Sequence, residues 1–344
     1  MKEQNKKIID AIINKAEKIS PNSLGLIGVY GSALTGDEHD KSDLDLLILI
    51  NDEEGYKLAT GFILEDLGIG YDIYCTSFES LENDAALPHA QISKLMESEI
   101  VYLKDESALI KLNELRNKAK EFLNSDKRFS RCEEILSKAK LLFGEMNLCD
   151  NIADARLFSY GIISFILDAV MIFNGRYFTR GIKRTFEEIS DLNLGEEFFE
   201  AINNITKSKD IISIRENSKI LIKSAENHIK IKKEKAPTSK NLAGTYEEMY
   251  SNWRNKMEEA ENNNDTFSSF MNLSSLQYML KELSIEFDIG EFKPLSEYSP
   301  DDLIRNREIF DECLEKYKEI YHKAGLKVKS YHSVEDFTEN YIKE

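Results

Sequence analysis

The amino-terminal apolar residues Ile8, Ile9, Ile12, Ile13, Ala16 and Ile19 recur every three or four positions, a spacing that predicts an amphipathic surface helix. The pattern then tightens. Residues 24–30 and 46–50 are short, nearly uninterrupted apolar runs between glycines and polar residues, as expected of strands buried on both faces. Residues 68–75 and 99–103 read as further short strands, with a helix expected over 53–67 and another near 91–98. Strands and helices alternate, so residues 1–105 are expected to form an α/β (α+β) domain on a mixed sheet.

After Asp105 the apolar positions settle into a period of 3.6. Helices are expected over 107–123, 129–146, 152–173, 180–189, 196–205 and 211–233, which makes 106–235 a helical bundle. The lysine-rich stretch 230–240 loses the period and reads as a linker or an exposed helix end. Residues 236–344 are helical again, completing an all-helical carboxyl-terminal region whose last part has no assigned role. Thr245-Tyr246-Glu247-Glu248 has the pattern of a capping box, and Ser299-Pro300-Asp301-Asp302 places proline where a helix should begin. Tyr246, Tyr250 and Trp253 share one helical stripe, read as packing.

Composition narrows the chemistry. The 344 residues carry 45 Lys and Arg against 62 Asp and Glu, a formal charge of −17. Such a body repels phosphodiester chains, which argues against nucleic acid as substrate, and it suits a cationic small-molecule acceptor. The four cysteines are scattered without Cys-x-x-Cys or histidine partners, a spacing that gives neither a zinc site nor a disulfide framework. The first residues are too polar for a signal peptide, and no run was expected to reach the ~18 apolar residues of a membrane span, so the expected location is cytoplasmic and away from membranes.

The residues that carry chemistry lie early. In Ser42-Asp43-Leu44-Asp45-Leu46, alternation along a strand puts Asp43 and Asp45 on the same side, ~7 Å apart. Two carboxylates at the mouth of a buried strand call for a cation, and oxygen-only ligands suit Mg²⁺ or Mn²⁺. Gly31-Ser32-Ala33-Leu34-Thr35-Gly36 follows the preceding strand, where glycine lets a phosphate approach the backbone and Ser32 adds a hydroxyl. Asp72, between Tyr71 and Ile73, is a third acid on a β-type run, placed to complete the metal pair if that run lies beside the Asp43 strand.

Gly-Ser-x-x-x-Gly, then Asp-x-Asp, then a lone Asp on a neighbouring strand resembles the DNA polymerase β-type nucleotidyltransferase superfamily, over about the first hundred residues. With its helical carboxyl half, the chain looks most like the small-molecule, aminoglycoside-type members. Leu34 and Thr35 stand where the commoner small-enzyme version has Arg in this loop. The resemblance implies an enzyme that moves a nucleoside monophosphate, AMP from ATP or another NTP, to a hydroxyl and releases pyrophosphate. Asp43, Asp45 and Asp72 would be catalytic and hold the metal ions. Gly31 and Ser32 would bind the nucleotide, with Ser42 as helper. The acceptor would be a small molecule such as an aminoglycoside. The alternative is a regulatory or antitoxin-like protein of the same fold that modifies or binds a protein partner.

In the bundle, Arg180, Lys183 and Arg184 are expected on one helix face, either paired with Glu187 and Glu188 or holding phosphates. Lys183 is the first choice for a phosphate contact. Asp168, alone in a nearly apolar helix, should have a raised pKa or a partner such as Arg156, and it is a candidate acceptor ligand or base. Glu145 and Asp154 are weaker candidates for the same role.

Overall fold

The structure, a computed structural model, describes residues 2–229 and 236–341. They divide into two compact units, 1–230 and 231–344. Residues 230–235, in the expected linker, lie outside the described residues.

The first unit opens with α1 (Glu3–Ile19), β1 (Leu24–Val29), the short α2 (Ser32–Thr35) and β2 (Leu46–Ile50). Next come β3 (Thr60–Leu64), β4 (Ile69–Ile73), β5 (Cys75–Ser77), α3 (Phe78–Ala85), α4 (Ser93–Met96) and β6 (Glu99–Leu103). The mixed sheet has the order β5-β2-β1-β6, with β1 antiparallel to β2 and β6, and β5 parallel to β2. Every residue of β1 and β2 is buried, as their apolar runs require. Ile9, Ile12 and Ala16 of α1 cover one face with Leu46, Ile48 and Ile50. On the other face, Leu26, Leu47 and Leu49 enter a core that continues through Ala108 and Leu112 to Ile162, Ile166 and Phe198.

Two expectations fail here. Residues 53–67 are not a helix. They form a 3₁₀ turn, Glu53–Leu58, followed by β3, which pairs antiparallel with β4 in a separate ribbon. Thr60-Gly61-Phe62-Ile63 favours a strand, and the Phe62 ring stacks on Tyr71 with centroids 5.2 Å apart. The run 68–75 is likewise two strands, and only β5 pairs with β2.

The bundle comprises α5 (Glu106–Asn124), α6 (Lys127–Leu148), α7 (Ile152–Phe173), α8 (Thr185–Ile189), α9 (Glu196–Lys207) and α10 (Ile211–His228). The segment expected as a helix from 180 is a 3₁₀ turn, Ile182–Arg184, leading into α8. By length and composition α7 could cross a membrane, with mean hydropathy 1.7, where no such run was expected. Much of that apolarity faces the core, since Ile162, Ile166, Ala169 and Val170 are all buried there.

In the second unit α11 (Ser239–Leu242) and α12 (Thr245–Met249) run through a π-helical turn, Tyr250–Arg254, into α13 (Asn255–Asn262). They are followed by α14 (Thr266–Glu286), α15 (Leu303–Lys323) and α16 (Val334–Tyr341). The capping box expected at Thr245 does not form. Gly244 caps α12, and the Thr245 hydroxyl donates to the Leu242 carbonyl. Pro300 does not open a helix either: Asp302 caps α15 by accepting from the Arg305 N–H at 2.9 Å. Tyr246 is buried against Tyr321.

Candidate active site

The β1–β2 pairing extends one residue beyond the regular ladder, because the Tyr30 N–H donates to the Asp45 carbonyl at 3.1 Å. Asp43 and Asp45 thus precede β2 rather than lie on it, yet the alternation holds. Ser42 and Leu44 are buried while Asp43 is exposed and Asp45 half-buried. Both carboxylates therefore project to one side, as the strand reading required.

The chain turns at Gly31, whose φ is +71°. A Cβ there would lie 2.1 Å from Asp45 Oδ2, so only glycine allows the carboxylate to pack against the turn. The Ser32 N–H donates to that carboxylate. The Gly-Ser turn and the second aspartate are one construction.

Burial pushes the Asp45 carboxyl above its ordinary range, the Asp43 charge adds to the shift, and the Ser32 N–H opposes it. The Tyr30 hydroxyl is pushed up to about 12 by burial and then by Asp45, Asp43 and Asp84. Among the described residues neither Asp43 nor Asp45 pairs with a protein cation.

The facing wall is basic. Arg180 donates to Asp37 through Nε at 2.7 Å and Nη2 at 2.7 Å, and Arg184 Nε donates to the same carboxylate at 2.8 Å. The Thr35 hydroxyl adds a fourth bond at 3.0 Å. Bonds from Arg180 first, then Arg184 and Thr35, hold the Asp37 carboxyl down at about 2. Both arginines also reach Glu187, as the pairing alternative expected. Glu188 instead binds backbone, accepting from the Thr179 N–H at 2.8 Å and the Arg180 N–H at 3.0 Å. Lys183 is exposed on the same wall and makes no ion pair among the described residues. Between the walls lies a cavity of about 410 Å³.

Gly31, Ser32, Ser42, Asp43, Asp45 and Lys183 all line this cavity. The Ser42 hydroxyl has a structural task as well, accepting the His39 N–H at 2.9 Å within a tight turn. Asp72 does not line the cavity. It is exposed on β4, opposite Gly61. The β2–β5 ladder begins at Ile48 and Cys75, and Asp72 belongs to the separate β3–β4 ribbon. Tyr71 and Ile73, the neighbours of Asp72 on β4, share one core cluster with Leu44 and Leu46.

Asp168 does not line the cavity. It is buried and accepts the Ala90 N–H at 2.9 Å, while the Ala90 carbonyl accepts the Phe178 N–H at 2.9 Å. Arg156, the partner considered for it, donates to the Ser208 carbonyl instead. Glu145 and Asp154 are exposed on α6 and α7, away from the cavity lining.

Sequence reasoning missed Asp37 and Tyr30, although each touches the Gly31–Gly36 motif in sequence, and missed Gln91 and Ser93 on the cavity wall. Among the described residues no three His, Cys, Asp or Glu side chains gather closely enough to hold an ion. Two carboxylates without protein cations still fit Mg²⁺, which binds through one or two carboxylates with substrate phosphates and water completing its shell.

The nucleotidyltransferase domain family matches residues 9–137. A crystal structure of a nucleotidyltransferase-like protein from Exiguobacterium sibiricum is similar over 71% of this chain and 79% of its own, at 13% identity and a TM-score of 0.35. No match is found among curated proteins.

Proposed function

We propose that this chain, whose amino-terminal part belongs to the nucleotidyltransferase superfamily, moves AMP from ATP to a hydroxyl of a small cationic molecule, an aminoglycoside being the type, and releases pyrophosphate. One observation carries the reading. A pair of carboxylates with no cation partner among the described residues, built onto a Gly-Ser turn, lines one cavity with Arg180, Lys183 and Arg184.

Asp43 and Asp45 would hold Mg²⁺, which when bound offsets negative charge as it develops on the α-phosphate. The Gly31–Ser32 turn would receive the β- and γ-phosphates, and Lys183 would neutralise the departing pyrophosphate from the facing wall. Asp72, exposed on β4, would take the proton of the attacking hydroxyl. Attack in line at the α-phosphorus forms the new ester bond and breaks the bond to the bridging oxygen, which leaves with pyrophosphate. The net charge of −17 supports a cationic acceptor by raising its local concentration.

The test is to incubate the protein with Mg²⁺ and each labelled nucleotide, against a panel of aminoglycosides and against lysate. Label on an aminoglycoside, lost in Asp45→Asn, supports the reading. Label on a polypeptide would favour the partner-modifying alternative, and transfer unchanged by Asp45→Asn would remove the proposed mechanism.

A further inference from the structure

Asp37 differs from the other acids of the cavity in taking four donors onto one carboxylate: three guanidinium N–H groups and one hydroxyl. Forked guanidinium bonds of this kind suit phosphate oxygens equally well. Asp37, Arg180, Arg184 and Lys183 all line the cavity that holds Gly31 and Asp45. The protein has thus satisfied its own arginines with an internal anion at the place where a triphosphate is expected.

The two sides of this contact are not equally fixed. The Thr179–Arg180 backbone is tied to Glu188 by both N–H groups and by the Thr179 hydroxyl at 2.8 Å. The Arg180 backbone is therefore held independently of Asp37, and Arg184 keeps its pair with Glu187 and its N–H bond to the Gly181 carbonyl. Asp37 itself follows Gly36, whose φ is +75°, and begins an irregular stretch from 37 to 45. The loop's other ties include the Lys2–Glu38 pair at 3.1 Å, the bond from Lys41 Nζ to the Leu67 carbonyl and the His39–Ser42 turn. If one partner leaves, it is the aspartate.

We propose that Asp37 is a stand-in for phosphate, holding Arg180 and Arg184 until the nucleotide's phosphates take them over and the 37–41 loop is released. The proposal rests on the nucleotide-binding reading of the same cavity. A polyphosphate carries more negative charge than one carboxylate and offers more acceptor oxygens to the same donors, so the exchange runs toward the ligand. The alternative role, in which Asp37 positions the arginines for phosphate, predicts the opposite effect on affinity.

Calorimetric titration of inorganic tripolyphosphate and of a non-hydrolysable ATP analogue with Mg²⁺ separates the two. For a partly exposed ion pair, Asp37→Asn is expected to tighten tripolyphosphate binding by about three- to tenfold. Arg184→Ala should weaken it, and the gain from Asp37→Asn should shrink in the double variant. Unchanged or weaker binding by Asp37→Asn overturns the proposal. A second measurement needs no variant: amide hydrogen exchange across 37–41 in the wild type should rise on saturation with tripolyphosphate, and no rise overturns it as well. If the wild type binds neither ligand, the nucleotide reading falls and this proposal with it. If it binds both and Asp37→Asn changes nothing, only the exchange falls. If the exchange is seen but no acceptor is ever labelled, the exchange stands and the transferase reading fails.

Discussion

Asp37 and Asp45 are eight residues apart, line the same cavity and have opposite surroundings. Asp37 is met by two arginines and its carboxyl is held down at about 2, whereas Asp45 meets no cation among the described residues and is pushed up by burial and by Asp43. An acid that is already compensated contributes to structure or to exchange. An uncompensated, half-buried acid costs stability, and that cost is expected where a function requires it. The difference marks Asp45 as the side that awaits a cation and Asp37 as the side that already has one.

The largest effect should come from the uncompensated side. Asp45→Asn is expected to lower nucleotidyl transfer by about a thousandfold or more, the range for removing a principal charge-stabilising group. Its thermal unfolding should not fall, because the amide removes a charge that burial disfavours. A variant that loses activity and stability together would make Asp45 a structural acid and erase the contrast with Asp37.

Next in size is Gly31→Ala. The added Cβ would collide with Asp45 Oδ2 at a backbone angle that alanine resists. Destabilisation of about 1–3 kcal/mol is expected in thermal or denaturant unfolding, with transfer reduced about a hundredfold by displacement of the carboxylate. Wild-type activity in this variant would show that the Gly-Ser turn does not position the second aspartate.

The two walls also differ in how far the sequence disclosed them. Gly31, Ser32, Asp43 and Asp45 sit within one local motif, so strand periodicity and turn chemistry were enough to bring them together. The pairing of Asp37 with Arg180 spans 143 residues and depends on how the bundle packs on the sheet. Nothing local encodes it, and Glu187 and Glu188 offered nearer partners. The β3–β4 ribbon was hidden differently: residues 53–67 hold enough charged and helix-favouring residues to suggest a helix, and pairing with β4 overrides that preference. Splitting the 68–75 run between two sheets is why Asp72 faces Gly61 rather than pairing with β2 directly.

On the basic wall Lys183 makes no ion pair among the described residues. Lys183→Met should raise the KM for nucleotide by about tenfold, the value of one charge-assisted contact to phosphate. Its melting temperature should not change, since no ion pair is lost. An unaltered KM would assign phosphate binding on this wall to the two arginines alone and tie it more closely to Asp37.

The smallest effect belongs to a third acid, Asp168, which is more deeply buried than Asp45 and accepts one N–H, from Ala90. Burial lifts its carboxyl to about 6 from an ordinary 3.8, against the opposing Ala90 N–H and His89. Between those values the folded chain keeps a proton that the unfolded chain has lost, so stability falls as pH rises from about 4 to 6 and levels off above. Asp168→Asn keeps an acceptor for Ala90 and removes the titration. The full shift would correspond to about 3 kcal/mol, but an amide accepts the Ala90 N–H less strongly than a carboxylate. A net gain of about 1 kcal/mol is therefore expected in unfolding at pH 7.5, with little difference from the wild type at pH 4. Greater stability of the wild type at pH 7.5 would mean that the bond to Ala90 outweighs burial, and Asp168 would then belong with Asp37 among the compensated acids.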